Sequence, residues 1–361
     1  MRIIHVATYK DGFFNGIMSV LANLVPAQRQ LGHDVIVLNQ EYNEKPVISE
    51  ERYVNSRGDF IDAVEHFNPD IVILHSLYSI NDVKFSWYLK KRKIPYLIEP
   101  HGGTSQDNAK KNKLKKKIAN IVYANRFIHN AAGLVYLNEK EANDCVFKRH
   151  RRNYVVIPNG TQMHGRPTEY LRKDGKIRFM FLARIDIIQK GLDLLFPAIK
   201  QFNADGYKEK AEFHFYGKAR NPKWATTFNQ YISEADDNVF FHGPVDGETK
   251  ELAYQNADVF LLTSRYEGMP MSILEALSYG LPCIITPQTN VENLITKGRC
   301  GWVTNANTYE ITQLLKYVSE DYSKHICEYV ENALKAVEPF AWDRISKYSI
   351  ECYKSIIQKE I

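Results

Sequence analysis

Two glutamates that stand eight residues apart, Glu267 and Glu275, could accept hydrogen bonds from the hydroxyl groups of a ligand. The apolar run before them, Val259 to Leu262, is typical of a buried parallel strand, and Pro270 fits the first position of the helix expected to carry Glu275. The N–H groups in the first turn of such a helix favour a phosphate. Together these features predict a ligand with a phosphate between two polyols, as in a nucleotide sugar.

The spacing alone does not carry this prediction, because Glu320 and Glu328 repeat it where no strand precedes them. With its strand, turn and helix, the stretch resembles the retaining glycosyltransferases of family 4, which have the GT-B fold and a Glu-x7-Glu signature. The resemblance implies that Glu267 lies by the donor sugar and that Glu275 holds the nucleotide ribose. The alternative is an ordinary acid in a turn, followed by an acid that favours a helix start.

Two cations lie six residues apart in the loop that follows the strand-like Ile177 to Leu182. Arg184 and Lys190 could clamp a diphosphate, and the protein must supply such cations because the sequence has no convincing Asp-x-Asp metal motif. We therefore expect no metal and no cofactor besides the donor. In the resembled family, an Arg and a Lys before Gly-Leu bind the donor phosphates, which Arg184, Lys190 and Gly191 match. The alternative is a pair of surface charges.

His101 stands in a Pro-His-Gly-Gly run after a strand, where little backbone obstructs a side chain. The resemblance implies that it contacts the donor sugar or phosphate, although a hydrogen-bonded loop histidine is the alternative. Gly16 closes the loop after the first strand, which lacks a complete Gly-x-Gly-x-x-Gly fingerprint. In family 4 a glycine-rich loop approaches the donor diphosphate here, and Gly16 matches it with Asn15 in place of the usual second glycine.

The predicted site has two catalytic positions and six positions that bind the donor. The catalytic positions are His101 and Glu267, and the donor-binding positions are Gly16, Arg184, Lys190, Gly268, Met269 and Glu275.

A lysine-rich segment, residues 110–130, has apolar residues at helical spacing. Its basic end contains Lys113, Lys115, Lys116 and Lys117. A basic amphipathic helix can lie on anionic lipid, which predicts a membrane or acceptor surface. A solvated helix end is the alternative. Nucleic acid is a poorer one, because no aromatic residues interleave the lysines.

Strand and helix signals alternate along both halves of the chain, which is typical of an α/β fold with parallel sheets. The resemblance makes this GT-B, with two Rossmann-like doubly wound domains facing a central cleft. We expect an acceptor-binding domain over residues 1–165 and a nucleotide-sugar-binding domain over 166–340. A last helix, residues 341–361, crosses back to the first domain. The polar segment 161–176 is the predicted linker.

The length and composition of the chain limit the class of protein, the number of domains and the place in the cell that we expect. The chain has 361 residues, 44% of them hydrophobic and 25% charged, which suits a soluble protein of two domains. It has no apolar run long enough to span a membrane and starts without a signal-peptide layout, so we expect a cytoplasmic protein, with a peripheral place on the inner face of the cell membrane. Five scattered cysteines indicate reduced thiols.

The resemblance implies transfer of a hexose-type sugar from a nucleotide donor to an acceptor hydroxyl with retained configuration. We expect a UDP-sugar in preference to a GDP-sugar, and an acceptor that is a glycan or is linked to polyprenyl diphosphate. The implied setting is bacterial surface polysaccharide synthesis, such as O-antigen, capsule or exopolysaccharide. The alternatives are a non-catalytic subunit that binds nucleotide sugars and a nicotinamide-dependent oxidoreductase, which should show a fuller glycine fingerprint.

Overall fold

The structure is a computed structural model, and it describes residues 1–10, 16–101, 124–145, 147, 153–165 and 175–360. The chain divides into two compact units. The N-terminal unit comprises Met1–Gly160 and Trp342–Ile361, and the C-terminal unit comprises Thr161–Ala341. The last stretch of the chain therefore belongs to the unit that contains the first.

Each unit is built on a parallel sheet, as far as the structure describes it. The strands of the N-terminal unit are β1 (Arg2–Ala7), β2 (Asp34–Asn39), β3 (Glu51–Tyr53), β4 (Ile71–Leu74), β5 (Tyr96–Ile98), β6 (Gly133–Tyr136) and β7 (Tyr154–Val156). The strands of the C-terminal unit are β8 (Ile177–Leu182), β9 (Ala211–Tyr216), β10 (Val239–Phe241), β11 (Val259–Leu262), β12 (Cys283–Ile285) and β13 (Gly301–Val303). The predicted α/β fold with two doubly wound sheets is confirmed.

Helices connect these strands within each unit. In the described part of the chain they are α1 (Gly16–Gln30), α2 (Arg57–Phe67), α3 (Ile80–Lys91), α4 (Asn125–Asn130), α5 (Glu139–Asp144), α6 (Leu192–Phe202), α7 (Pro222–Ser233), α8 (Gly247–Gln255), α9 (Met271–Ser278), α10 (Glu292–Gly298), α11 (Thr308–Val337) and α12 (Trp342–Glu360). Shorter 3₁₀ and π turns occur at Asn203–Tyr207, Lys208–Lys210, Pro287–Thr289 and Glu338–Phe340.

The strand order of each sheet reverses once near its middle. The N-terminal order is β3-β2-β1-β4-β5-β6-β7, and the C-terminal order is β10-β9-β8-β11-β12-β13. The reversals therefore lie between β1 and β4 and between β8 and β11. Ligands of open parallel sheets bind at the carboxyl ends of the strands that flank such a reversal. This rule predicts that ligands bind at the loops after β1 and β4 in the N-terminal sheet and after β8 and β11 in the C-terminal sheet.

Buried apolar runs explain most of the strands, and the exceptions are instructive. All four residues of β4 and all four of β11 are buried, as expected for strands covered on both faces. The apolar pattern does not predict β3 or β13. Each is a three-residue edge strand whose side chains are only partly buried or exposed. A strand that is not covered on both faces needs no apolar run, so the sequence carries little signal for it.

A close contact fixes the start of α12 in the N-terminal unit. A Cβ atom added to Gly160 would lie 2.5 Å from a ring carbon of Trp342, so a larger residue there would displace the indole. Helix α12 then packs along α1. No helix in the described part of the chain is long and apolar enough to cross a membrane.

Candidate active site

The loops after β8 and β11 lie side by side in the C-terminal unit. Strand β11 pairs with β8 through Val259 opposite Phe179 and Phe260 opposite Met180. The segment that contains Arg184 and Lys190 follows β8, and the segment that contains Glu267 follows β11. The topology thus brings the predicted phosphate clamp and the first predicted glutamate to the reversal point of one sheet.

A close backbone approach, a hydroxyl hydrogen bond and an ion pair are among the contacts that fasten these two loops together. Gly191 has φ +67°, and a Cβ atom there would lie 2.1 Å from the carbonyl oxygen of Thr263, so this close approach requires glycine. The Thr263 hydroxyl donates to the carbonyl of Lys190 at 3.3 Å. Arg265 donates from both terminal nitrogens to the carboxylate of Asp193, at 2.6 and 2.7 Å. Such a bidentate pair fixes geometry as well as charge.

The structure pairs Lys190 directly with Glu267. The ammonium donates to Oε1 of Glu267 at 2.5 Å, and the Ser264 hydroxyl donates to the same oxygen at 2.7 Å. The side chains of Lys190 and Glu267 are only 9% and 10% exposed. Asn290 holds the glutamate backbone by donating to the Glu267 carbonyl at 2.6 Å. The sequence predicts a role for both charged residues, but not that they contact each other.

Arg184 differs from Lys190 in its environment. Its side chain is exposed and reaches Gln189 at 3.5 Å. The predicted clamp therefore combines one buried lysine that already has a carboxylate partner with one arginine at the surface. Gly268 and Met269 follow Glu267, with Gly268 partly buried and Met269 buried.

Glu275 lies on α9 and is held by the preceding helix, α8. Lys250 donates to its Oε1 at 2.7 Å, and the Tyr254 hydroxyl donates to its Oε2 at 2.8 Å. Lys250 and Tyr254 are four residues apart and so share one face of α8. Burial and the adjacent Glu275 carboxylate raise the pKa of Tyr254 well above its ordinary value. The prediction that Pro270 occupies the first position of the helix is wrong. Its backbone is extended, with φ −71° and ψ 120°, so Pro270 directly precedes the helix, which begins at Met271.

A stack of aromatic rings beside Glu275 was not predicted. The ring of Tyr279 stacks on that of Tyr254 with centroids 5.0 Å apart, and His164 also stacks on Tyr279, with centroids 4.2 Å apart. Partial burial lowers the pKa of His164. No spacing in the sequence links these three residues, because the fold alone brings them together.

His101 lies in a buried histidine cluster of the N-terminal unit. Its backbone has φ +46°, and its Nε2 is 2.9 Å from Nδ1 of His75. His75 in turn places Nε2 2.9 Å from Nδ1 of His5, whose Nε2 is 3.1 Å from Oε1 of Gln28. The Glu99 carboxyl lies 3.4 Å from Nδ1 of His75 and 3.6 Å from Nδ1 of His101. His5 lies within β1, His75 directly follows β4, and Glu99 and His101 follow β5.

Burial sets the protonation of this cluster. It lowers the pKa of His5 and of His101 to about 4 and that of His75 well below its ordinary value, so all three are neutral at pH 7. Burial, with a contribution from the charge of Glu141, raises the pKa of Glu99 to about 8. The carboxyl therefore retains its proton at neutral pH.

A metal could in principle be held by part of this cluster. In the described residues, His75, Glu99 and His101 offer ligand atoms that all lie within 4.8 Å of one another. A metal bound there would have to replace the hydrogen bond between His75 and His101. The prediction that the protein needs no metal stays a prediction.

The remaining predicted site residues are less informative. Gly16 begins α1, and a Cβ atom there would meet none of the described residues within 4 Å, so no contact with this part of the chain requires glycine. The loop before it, residues 11–15, lies outside the described residues. So do Lys113, Lys115, Lys116 and Lys117.

Two family models match the chain, one in each half. Residues 14–163 match the model described as Glycosyltransferase Family 4, and residues 176–321 match the model described as Glycosyl transferases group 1. The chain carries the two glycosyltransferase domains of the GT-B fold.

Known proteins are similar to this glycosyltransferase over most of its length. An uncharacterized 41.2 kDa protein in the cps region of Klebsiella pneumoniae is 22% identical, over 98% of this chain and 100% of that protein. The N,N'-diacetylbacillosaminyl-diphospho-undecaprenol alpha-1,3-N-acetylgalactosaminyltransferase of Campylobacter jejuni is 22% identical, over 84% of this chain and 79% of its own. Among solved structures, Anabaena HepE in complex with UDP has a TM-score of 0.78 at 16% identity and covers 98% of this chain and 100% of its own.

Proposed function

We propose that this glycosyltransferase moves a hexose-type sugar from a nucleotide-sugar donor to an acceptor hydroxyl and retains the anomeric configuration. The observation that carries the proposal is the buried pair of Lys190 and Glu267 at the reversal point of the C-terminal sheet. The contact supports the proposal because a cation that could bind the donor phosphate lies directly beside a carboxylate that could accept from the sugar.

Lys190 can serve a phosphate without giving up its partner. An ammonium group has three N–H donors, and the hydrogen bond to Glu267 uses one of them. The other two can reach phosphate oxygens, and the exposed Arg184 can add a second cation as the donor binds. Two cations stabilise the charge that develops on the leaving diphosphate, which is the task that a metal performs in other transferases.

Glu275 suits the nucleotide ribose. Each of its carboxylate oxygens accepts one hydrogen bond from the protein, from Lys250 or Tyr254, and has lone pairs left for a ribose hydroxyl. Because both oxygens are held from α8, the carboxylate is already oriented before the ribose arrives. Such preorganisation reduces the entropy that binding must overcome.

The proposed reaction needs no protein nucleophile. The bond between the anomeric carbon and the leaving phosphate oxygen breaks, and a bond from the acceptor oxygen forms on the same face of the sugar. The acceptor's hydroxyl proton passes to the leaving phosphate. In this scheme Glu267 positions the sugar, and His101 contacts the donor near the reacting centre, as the resemblance to family 4 implies.

The substrates are proposed from the similar proteins. A UDP-sugar is favoured because Anabaena HepE was solved with UDP. An acceptor on a polyprenyl diphosphate, in bacterial surface polysaccharide synthesis, is favoured because the Campylobacter relative is named for a diphospho-undecaprenol acceptor. A peripheral place on the cytoplasmic face of the membrane, with contact through Lys113, Lys115, Lys116 and Lys117, completes the proposal.

A thermal-shift screen tests the donor first. UDP-, GDP- and ADP-sugars are added to the full chain, and the donor that binds raises the melting temperature with the logarithm of its concentration over Kd. Release of the nucleoside diphosphate is then measured for that donor with and without EDTA. We expect binding of a UDP-sugar and release that EDTA leaves unchanged. Binding without release or transfer to any glycan acceptor would support the non-catalytic subunit instead.

A further inference from the structure

An unbroken chain of polar contacts runs from α12 to His101 inside the N-terminal unit. Gln28 donates from Nε2 to the Ser349 hydroxyl oxygen at 3.0 Å, and its Oε1 lies 3.1 Å from Nε2 of His5. His5, His75 and His101 continue the chain with nitrogen–nitrogen distances of 2.9 Å at both steps. Ser349, Gln28 and His5 are fully buried, and His75 is 2% exposed, so water does not compete for these bonds.

The hydrogen bond that Ser349 donates sets the polarity at the serine end, where the hydroxyl of the buried Tyr353 also hydrogen-bonds with Gln28 and Ser349. The Ser349 hydroxyl donates to the backbone carbonyl of Ser346 at 2.7 Å, and a carbonyl can only accept. The Ser349 oxygen must therefore accept from Gln28, which places the amide nitrogen of Gln28 at the serine and its carbonyl oxygen at His5. Because that oxygen accepts, Nε2 of His5 must carry the proton.

The donor and acceptor nitrogens of the three neutral imidazoles are then fixed one after another. A neutral imidazole has one N–H and one bare nitrogen, so Nδ1 of His5 accepts from Nε2 of His75. For the same reason, Nδ1 of His75 accepts from Nε2 of His101. His101 is thereby left with a proton on Nε2 and a bare Nδ1.

We propose that Ser349, Gln28, His5 and His75 are positioning residues that hold the imidazole of His101 in the Nε2–H tautomer and in one orientation. The proposal rests on the proposed function, in which His101 contacts the donor. A neutral histidine in one fixed tautomer and orientation presents the same atoms to the sugar donor at all times. The series of hydrogen bonds that fixes this tautomer begins on α12, about 250 residues from His101 in the sequence.

The carboxyl group of Glu99 lies beside the last step of this series, 3.4 Å from Nδ1 of His75 and 3.6 Å from Nδ1 of His101. In the proposed polarity Nδ1 of His75 already accepts from His101, so the bare nitrogen that faces Glu99 is Nδ1 of His101. If Gln28 were turned around, every proton in the series would shift, and Nδ1–H of His101 would face Glu99. Both networks are internally consistent, and the hydrogen bond that Ser349 donates to the Ser346 carbonyl selects between them.

Nitrogen NMR of the full chain tests the tautomer without any assay of activity. The protein is labelled with ¹⁵N-histidine, and single His→Gln variants assign the three rings. We expect a protonated Nε2 and a bare Nδ1 in His5, His75 and His101 at neutral pH. A protonated Nδ1 on His101 in the wild type would overturn the proposal, as would stoichiometric zinc in the purified protein that is lost in His75→Gln.

Two serine variants form a matched pair. Ser349→Ala removes the acceptor that orients Gln28, so we expect mixed or inverted tautomers. Ser346→Ala removes an equally buried hydroxyl one turn away, which donates to the Asp343 carbonyl, but leaves the Ser346 carbonyl in place. The spectra of Ser346→Ala should match the wild type. Identical tautomers in both variants would overturn the proposed role of Ser349.

Kinetics of the same pair test the link to the reaction. We expect kcat for sugar transfer to fall by roughly 10- to 100-fold in Ser349→Ala, with KM for the donor little changed, and to stay at the wild-type level in Ser346→Ala. Equal kcat in the two variants, with tautomers that differ, would overturn the role in catalysis. If the wild type transfers no sugar, the proposed function is wrong. The NMR comparison of the two serine variants still decides whether this series of hydrogen bonds fixes the tautomer of His101.

Discussion

Removing the charge of Lys190 should reveal how strongly the buried pair holds the candidate site. In Lys190→Met, Glu267 would lose an ammonium at 2.5 Å and keep, among the described residues, the Ser264 hydroxyl at 2.7 Å as the hydrogen-bond donor to its side chain, which is 10% exposed. Breaking a buried ion pair by removing one partner costs about 3–5 kcal/mol, because the other charge is left buried and unpaired. We expect the lower end, about 3 kcal/mol, since each side chain retains some contact with water.

A second substitution should recover most of that loss. Lys190→Met combined with Glu267→Gln removes both charges and leaves an amide that can still accept from Ser264, so we expect a cost of about 1 kcal/mol. Urea denaturation measures the free energies of unfolding of the double variant and of the two single variants, Lys190→Met and Glu267→Gln. Lys316→Met serves as the control, because Lys316 also pairs with a carboxylate, Asp205, in the C-terminal unit but lies on α11, away from the two loops.

Nucleotide binding separates the two roles of the lysine. Losing a charge-assisted hydrogen bond to phosphate costs about 1.5–3 kcal/mol, so both Lys190 variants should bind the nucleoside diphosphate about 10- to 150-fold more weakly in calorimetry. Lys316→Met should bind it as the wild type does. The reasoning is refuted if the double variant is destabilised by at least the sum of the two single variants, or if Lys190→Met binds the diphosphate normally.

Three further predictions concern other parts of the two units. Glu275→Gln should weaken nucleoside diphosphate binding by about 1.5–3 kcal/mol in calorimetry, while Glu212→Gln, of similar exposure on β9, should not; equal affinities would exclude the ribose contact. Gly191→Ala should lower the melting temperature and slow transfer, because its φ of +67° and the 2.1 Å approach leave no room for a methyl group; a fully stable variant would show that the loop can move aside. Stability should be greatest near pH 6.5. Between about pH 4 and 6.5, His5 and His101, with pKa lowered to about 4, bind protons only when the protein unfolds, so stability rises with pH. Glu99, with its pKa raised from 4.5 to about 8, opposes this because it loses its proton on unfolding between those two values; the two histidines outweigh it up to pH 6.5, and above that its loss of stability remains. Each group changes the free energy of unfolding by about 1.4 kcal/mol per pH unit, and a melting temperature that rises steadily from pH 7 to 8.5 would contradict this.

The sequence predicts the sheets well because their cores are apolar. Buried strands such as β4 and β11 are continuous hydrophobic runs, and the loops that follow them carry the polar residues of the site. The edge strands β3 and β13 are not predictable in this way. They pair through backbone atoms, which every sequence possesses, and their side chains are incompletely buried.

The contacts within the site are harder to predict than its members. Lys190 and Glu267 are 77 residues apart, and their pairing depends on how closely Gly191 approaches Thr263, a distance that no local pattern encodes. The histidine chain is a similar case. His5 and His75 lie in or directly after apolar strands, where a single histidine gives no sign of a partner on the neighbouring strand.

The central claim is that this glycosyltransferase cleaves a nucleotide sugar with retention, and ¹H NMR of donor hydrolysis in deuterated buffer tests it without a known acceptor. The donor selected by thermal shift is incubated with the full chain, and the anomer of the free sugar is recorded before mutarotation. We expect release of the nucleoside diphosphate together with the sugar in the anomeric configuration that it had in the donor. First appearance of the opposite anomer, or no release from any donor that binds, would contradict it.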